Sequence, residues 1–340
     1  MRMAIPVNMY YIGIDLGGTN IAIGLVDEAG RILHSDSVPT VKERHWSEII
    51  RDMADLSKKV VADAGHSLEE VAAVGIGCPG TIDKVSGVVV YSNNIVMDHV
   101  PMAEEFRKYI DLPVFLENDA NAAALGEYAV YGEGADSFVF MTLGTGVGGG
   151  IILNGKVWSG FNGAGAEIGH QTLVFGGEPC TCGRRGCLEA YASVTALINQ
   201  TKAAMEAHPE SMMNEYAAKH GKVNGRTSFE CARAGDPAAI AVRDRYIEYV
   251  AEGICSIVNI LQPEILSIGG GISREGETLL APIKEYFAHN DYNKHMAKTD
   301  IRIAKLFGDA GIVGAAKTAE AGWRSDPLFL NRKNATVGWP

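Results

Sequence analysis

The chain has 340 residues, 47% of them hydrophobic and 21% charged, and a formal net charge of −11. This length suffices for two packed domains with substantial cores. Glycines and charged residues interrupt every apolar run before the roughly 20 residues that span a bilayer. The negative charge opposes binding to nucleic acid, whose protein partners usually present a basic face. Composition therefore argues against a membrane or nucleic-acid role, and because residues 1–10 lack the features of a secretory signal we expect a cytoplasmic protein.

The first predicted element is a β-hairpin at residues 10–26. Two apolar runs, YYIGID and IAIGLV, flank a glycine-rich bend. The same pattern returns at residues 138–158, where Leu143 and Gly144 correspond to Leu16 and Gly17, and Asn154-Gly155 is a tight-turn signal. Two related halves, each opened by a glycine hairpin, predict two domains that face each other across a cleft.

The remaining predicted elements alternate between strands and helices, which indicates an α/β fold. Periodicity and turn residues predict, in chain order, a strand at 31–38, a helix at 46–64, strands at 71–76 and 113–116, helices at 119–131, 188–208 and 237–261, a strand at 264–268, a helix from about 277 and a last helix at 308–322. We interpret the polar segment 210–227 as an irregular insertion or lid.

These elements predict a small domain of residues 1–119 plus the helix at 308–322, and a large domain of residues 120–307. Residues 323–340 have little periodicity, and we expect a tail that is disordered or wraps a neighbour.

Three glycine clusters follow apolar strands and would expose backbone N–H groups to a phosphate or nucleotide. They are Gly17, Gly18 and Thr19; Gly144, Thr145 and Gly146; and Gly269, Gly270 and Gly271. No GxxxxGK[ST] motif is present, which excludes a P-loop enzyme. Asp15, beside the first cluster, could hold magnesium or its waters near the phosphates, or could cap its own turn.

The sequence Glu117-Asn118-Asp119 lies where a strand leads into an alanine-rich helix. Phosphoryl transfer to an alcohol needs a carboxylate that accepts the hydroxyl proton, and Asp119 is the candidate base. Asn118 could hold neighbouring hydroxyls, although an Asn or Asp here could also cap the helix. Polar loops of the same half could close over the substrate; they contain Gly80, Thr81, Ser92, Asn93 and Asn94, of which Asn94 is the first candidate and Asn93 nearly as plausible.

A candidate metal site lies between two acids, Glu167 and Glu189. One imidazole and three thiols can close a tetrahedral zinc shell with no open position, so the zinc would be structural. The ligands would be His170, Cys180, Cys182 and Cys187. A disulfide plus a spare thiol, or buried thiols without a metal, are the alternatives. Glu167 and Glu189 would then be held rigidly and could accept hydrogen bonds from a polyol.

Taken together, these motifs resemble the ROK sugar kinases, and within that family the bacterial glucokinases. The resemblance covers residues 12–322 and rests on DLGGTN, ENDANAAALGE, LGTGVGGGI, and NGAGAEIGH followed by CTCGRRGCLE. It implies a duplicated actin-like ATPase fold of the ribonuclease H type, ATP and magnesium as cosubstrates, zinc on His170 and the three cysteines, and Asp119 as base. Asn118, Glu167, His170 and Glu189 would contact the sugar.

The expected reaction is transfer of phosphate from ATP to the C6 hydroxyl of a hexose, with glucose as first choice and N-acetylmannosamine as runner-up. The family also contains repressors with an added DNA-binding domain, for which residues 1–12 are too short, and a non-catalytic sugar sensor is a further alternative. The resemblance implies a homodimer or a tetramer.

Overall fold

The structure, a computed structural model, describes residues 9–92 and 95–325. Its strands are β1 Tyr10–Leu16, β2 Asn20–Val26, β3 Ile32–Pro39, β4 Val71–Cys78, β5 Thr81–Asp83, β6 Val88–Ser92, β7 Met97–Val100, β8 Val114–Asn118, β9 Ser137–Leu143, β10 Val147–Leu153, β11 Lys156–Trp158, β12 Ile265–Gly269 and β13 Asp300–Ile303. Its α-helices are α1 Trp46–Asp63, α2 Met102–Arg107, α3 Asp119–Tyr131, α4 Glu189–Ala192, α5 Val194–Ala207, α6 Met212–His220, α7 Thr227–Arg233, α8 Pro237–Leu261, α9 Glu277–Asn290 and α10 Ala310–Ser325.

Two five-stranded sheets have the same topology. The first has the order β3-β2-β1-β4-β8 and the second β11-β10-β9-β12-β13. In each, the first three strands form an antiparallel meander and the last two run parallel to the strand that opens the half. The predicted duplication and the α/β class are confirmed. A small antiparallel sheet, β5-β6-β7, adds a flap to the first half.

Local sequence explains the hairpins. Asn154 and Gly155 both have positive φ, 52° and 72°, as the tight turn between β10 and β11 requires. Apolar residues of both faces of each sheet are buried, with the largest cluster of the second half formed by β9, β10, β12, α8 and α9. Each hairpin bend therefore follows a strand, β1 or β9, that is packed on both faces.

Helix α10 packs against the first sheet and against α3 at unusually short range. A β-carbon at Gly13 would lie 1.9 Å from the carbonyl oxygen of Ile312, and one at Gly314 would lie 1.6 Å from that of Ala122. Such contacts exclude any side chain at these two positions. The close packing fixes the start of α3, and with it Asp119, relative to β1 and Asp15.

Two helix predictions are corrected by the structure. The helix predicted at 188–208 is two helices, because Ser193 is extended (φ −74°, ψ 161°) and its side chain accepts the Ala196 N–H as N-cap of α5. The segment 210–227 is not irregular throughout, since α6 begins after the N-cap Ser211 and ends at Gly221 in a left-handed conformation. The helices predicted at 119–131 and 237–261 are confirmed to the residue.

Within residues 9–92 and 95–325, none of the helices combines the length and apolarity that a bilayer span requires. Asn93, Asn94 and residues 326–340 of the predicted tail lie outside the described residues; the predicted tail residues before them, 323–325, are the last of α10.

Candidate active site

Asp119 is the first residue of α3, directly after β8. Asn118 is the N-cap: its Oδ1 accepts the N–H groups of Ala120 (3.0 Å) and Asn121 (3.2 Å), and its Nδ2 donates to the Gly80 carbonyl at 3.2 Å. Capping therefore coexists with the predicted site. Asp119 Oδ1 accepts the Ala120 N–H at 2.9 Å, and the Asn118 amide also donates to this carboxylate.

A buried acid supports this strand end. Glu117 has a side chain only 5% exposed and forms an ion pair with Lys84 of the flap at 2.6 Å. Its Oε1 accepts the Asn118 N–H at 3.0 Å and the Asn121 amide at 3.4 Å. The pair ties the flap to the strand that carries the candidate base. The sequence interpretation assigned no role to Lys84, because an isolated lysine between two short strands gives no signal.

A cavity of about 120 Å³ lies over Asp119. Its lining joins the flap, the start of α3, β10 and the loop before His170, through Gly80, Thr81, Asn118, Asp119, Ala120, Asn121, Gly148, Gly149 and residues 163–167. The structure thus brings together Asp119, Asn118 and Glu167, with Gly80 and Thr81 beside them, whereas His170 and Glu189 do not line the cavity directly. Residues 163–166 belong to the motif NGAGAEIGH, which assigns them no individual role.

The carboxyl groups of the site perturb one another. Burial raises the pKa of Asp15 to about 6, and repulsion from Asp119 adds to that rise. Burial also raises the pKa of Asp119, opposed by hydrogen bonds from the Ala120 N–H and Asn118. For Glu167, burial raises the pKa, His170 opposes the rise, and Asp119 and Glu189 add to it. A basic carboxylate near further acids is typical of a site that binds a cation or accepts a proton.

The glycine clusters lie at the expected strand ends. Gly17 N–H donates to Asn20 O and Gly144 N–H donates to Gly146 O, both at 3.0 Å, which closes each bend. Gly270 (φ +85°) packs on the second bend, since a β-carbon there would lie 2.3 Å from the Leu143 carbonyl oxygen. The second and third clusters are therefore adjacent. Asp15 lies at the start of α10, where a β-carbon on Gly311 would come 2.4 Å from its Oδ2.

The four predicted metal ligands are assembled. One ligand atom from each of His170, Cys180, Cys182 and Cys187 lies within 4.8 Å of all the others. The Cys182 and Cys187 sulfurs are 3.7 Å apart, and Cys180 Sγ is 3.6 Å from His170 Nδ1. With metal to sulfur bonds of about 2.3 Å, the edge of a tetrahedral site is about 3.8 Å, so the cluster could hold a tetrahedral metal ion. All six cysteines are free, and a disulfide is not formed.

Glu189 connects the metal cluster to the second glycine bend. Its Oε1 accepts the Thr181 hydroxyl at 3.0 Å and its Oε2 accepts the Val147 N–H at 3.0 Å. His170 faces the thiols through Nδ1, which leaves Nε2 for another partner. Glu189 is therefore engaged in structural hydrogen bonds that sequence analysis did not foresee.

The duplicated sheets, their glycine bends and the adjoining carboxylates define a protein with the actin-like ATPase fold. A model of the ROK family matches residues 11–321, and the chain belongs to this family. A glucokinase from Thermotoga maritima is 40% identical over 307 residues, covering 90% of this chain and 95% of the relative. A solved ROK family glucokinase from Streptomyces griseus, in complex with glucose and AMPPNP, is 38% identical with a TM-score of 0.79 and covers 92% of this chain and 100% of its own. The solved ROK hexokinase from Thermus thermophilus is 34% identical, with a TM-score of 0.76. The match covers 94% of this chain and 100% of the hexokinase chain.

Proposed function

We propose that this protein is an ATP-dependent glucokinase, which transfers the γ-phosphoryl group of ATP to the C6 hydroxyl of glucose. The observation that carries the proposal is Asp119, a carboxylate with a raised pKa on the wall of a polar cavity. Similarity over nine-tenths of the chain to glucokinases from two bacteria, one of them solved with glucose and AMPPNP, supports it.

The sugar would lie over Asn118 and Glu167 of the cavity wall, with His170 and Glu189 as further proposed contacts. Glu167 offers carboxylate oxygens to hydroxyls, and the Asn118 amide and Nε2 of His170 would complete the pattern. Asn94 is proposed as a further contact. Two domains, residues 1–119 with 308–322 and residues 120–307, would close over the sugar and exclude water as a competing nucleophile.

ATP would bind with its phosphates on the bends at residues 17–19 and 144–146 and its adenosine near residues 269–271. Magnesium bound with ATP neutralises phosphate charge, and Asp15 is the carboxylate that would hold the ion or its waters. The desolvation of the partly buried Asp15 fits this role, because its unfavourable ionisation would be offset by a cation.

In the chemical step, the Asp119 carboxylate accepts the proton of the C6 hydroxyl as the C6 oxygen bonds to the γ-phosphorus. The bond from the γ-phosphorus to the bridging oxygen breaks, and ADP leaves with that bonding pair. Zinc is the metal that the His and three Cys donor set favours, with no position open for catalysis. It would stabilise the loop that carries Thr181 and orients Glu189.

The proposal is tested by Asp119→Asn in a coupled assay of ADP release across a panel of hexoses and N-acetylhexosamines. We expect kcat to fall by roughly 10²- to 10⁴-fold, since general base catalysis contributes about that much, while glucose affinity in calorimetry survives. Unaltered turnover would remove Asp119 from the mechanism. If the unmodified protein prefers N-acetylmannosamine, glucose is not the main substrate. If no sugar causes ADP release, the result favours a non-catalytic sugar sensor.

The homodimer or tetramer is proposed on the family resemblance, and the cytoplasmic location expected from the sequence stays a proposal. Light scattering of the purified protein tests the assembly.

A further inference from the structure

The bend at residues 144–146 is held from outside by the start of α5. The Val194 N–H donates to the Gly144 carbonyl at 2.8 Å, and the Thr195 hydroxyl donates to the Thr145 carbonyl at 2.7 Å. Val194 supplies one of the N–H groups that a helix leaves unsatisfied in its first turn. The carbonyls of Gly144 and Thr145 are therefore directed at α5, whereas that of Gly146 accepts the Gly144 N–H.

This anchoring orients two backbone donors. In a trans peptide the N–H points opposite to the C=O, and no cis peptide occurs in residues 9–92 and 95–325. The N–H groups of Thr145 and Gly146 consequently point away from α5. Neither has a hydrogen-bond partner among the described residues. Two adjacent, unpartnered N–H groups in a glycine-rich bend form a cradle for an anion.

The first bend is held by a related arrangement from a different element. The Thr40 hydroxyl donates to the Gly17 carbonyl at 2.6 Å, and the Thr40 N–H donates to the Thr19 carbonyl at 2.9 Å. In both halves, one threonine hydroxyl and one backbone N–H from outside the bend donate hydrogen bonds to its carbonyl oxygens. Thr40 follows β3 and is fully buried, whereas Thr195 is exposed on α5, so the two are not counterparts in the duplication.

We propose that Thr195 is a positioning residue for the ATP phosphates: its hydroxyl fixes the Thr145–Gly146 peptide so that the two free N–H groups face the triphosphate. The proposal rests on the proposed function for the identity of the anion. Glu189 accepts the N–H of Val147, the residue that follows the bend, so Thr195 and Glu189 both hold this segment. The exposed Thr195 side chain can be changed without opening a core.

The test is Thr195→Val, which keeps the side-chain shape and removes the hydroxyl. We expect KM for ATP and the Kd of AMPPNP to rise about 3- to 10-fold, the effect of one neutral hydrogen bond. KM for glucose and Tm should be unchanged. Thr195→Ser should restore nucleotide affinity.

Thr201→Val is the matched control, because the Thr201 hydroxyl donates within the same helix to the Leu197 carbonyl at 2.7 Å and touches no bend. It should leave nucleotide affinity unchanged. Wild-type affinity in Thr195→Val, or equal rises of KM for ATP and glucose, would overturn the positioning role. Calorimetry with AMPPNP measures this without turnover, so a protein that binds nucleotide but phosphorylates no sugar would contradict the proposed function alone.

Discussion

At the scale of single residues, two carboxyl groups that repel each other determine the electrostatics of the site. Burial is the main cause of the raised pKa of both Asp15 and Asp119, and their mutual repulsion adds to the effect on Asp15. A buried carboxylate without a cation destabilises the fold that contains it. Asp15 therefore lowers the stability of the free protein, and a bound cation would offset this destabilisation.

Asp15→Asn is predicted to stabilise the free protein at neutral pH. The folded pKa of about 6 lies above the ordinary value of 3.8, so the folded state binds more protons than the unfolded state between these values, and stability falls as pH rises through them. At pH 7 the variant should gain about 1–3 kcal/mol in the free energy of unfolding. The gain should shrink between pH 6 and 4. Urea unfolding at several pH values measures it.

Asp36→Asn is the control for this experiment. Asp36 lies on the surface of β3, and the hydrogen bond from Lys59 lowers its pKa. Replacing Asp36 should therefore not raise the free energy of unfolding at pH 7. An Asp15 variant that is less stable than the unmodified protein at pH 7, or whose gain is independent of pH, would contradict the electrostatic account. The Asp15 variant should also lose affinity for ATP in the presence of magnesium.

At the scale of elements, the sequence was most informative where a local pattern determines the backbone. The hairpins and the helices α3 and α8 follow from apolar periodicity, glycine bends and the caps Asn118 and Asp236, all readable within a few residues. The break at Ser193 has no glycine or proline to mark it. It forms because the extended Ser193 lets α5 direct its first turn at the bend of residues 144–146. Such tertiary contacts leave no local signal.

The residues of the candidate site also fall into those that a local sequence pattern predicts and those whose contacts are set by the tertiary fold. His170, Cys180, Cys182 and Cys187 could be grouped from spacing because metal ligands must converge on one point. The second function of Glu189, as acceptor of the Val147 N–H, and the pairing of Lys84 with Glu117 join residues more than thirty positions apart. Neither contact is encoded in a motif, so neither was predicted.

Residues 180–187 form the loop that carries the three cysteine ligands of the candidate metal site. A change in this loop should affect sugar binding more than nucleotide binding. Cys182→Ser removes one ligand, and we expect zinc content to fall and glucose affinity to weaken more than AMPPNP affinity, because the metal ligand His170 and Glu189, which accepts the Thr181 hydroxyl, are both proposed sugar contacts. Metal analysis and calorimetry with each ligand measure this. The control Cys231→Ala, at a buried thiol of α7, should keep zinc and both affinities. A zinc-free unmodified protein would refute the metal assignment.

At the scale of the whole molecule, the chain returns from the second sheet to the first through a short crossover. Residues 304–309 join β13 to α10, which packs against β1, β4 and α3. Glu127 of α3 is 2% exposed and accepts two N–H groups of this crossover, that of Lys305 at 2.8 Å and that of Leu306 at 3.0 Å. One buried carboxylate thereby fixes where α10 begins, and α10 begins beside Asp15.

Glu127→Gln should consequently weaken the fold and the site together. A glutamine has one acceptor oxygen and would turn its NH₂ toward the second N–H, so we expect a loss of about 1.5–3 kcal/mol in the free energy of unfolding, the range for hydrogen bonds to charged groups. The matched control is Glu133→Gln, because Glu133 also reaches this region through Arg302 at 2.8 Å but is 68% exposed. Its loss should stay below about 1 kcal/mol. Equal losses in urea unfolding would contradict the role of the crossover.

The same two variants should differ in KM for ATP. Glu127→Gln should displace the start of α10, against which the Asp15 carboxylate packs, and so raise KM for ATP. Glu133→Gln should leave KM for ATP unchanged, because Glu133 does not hold the crossover.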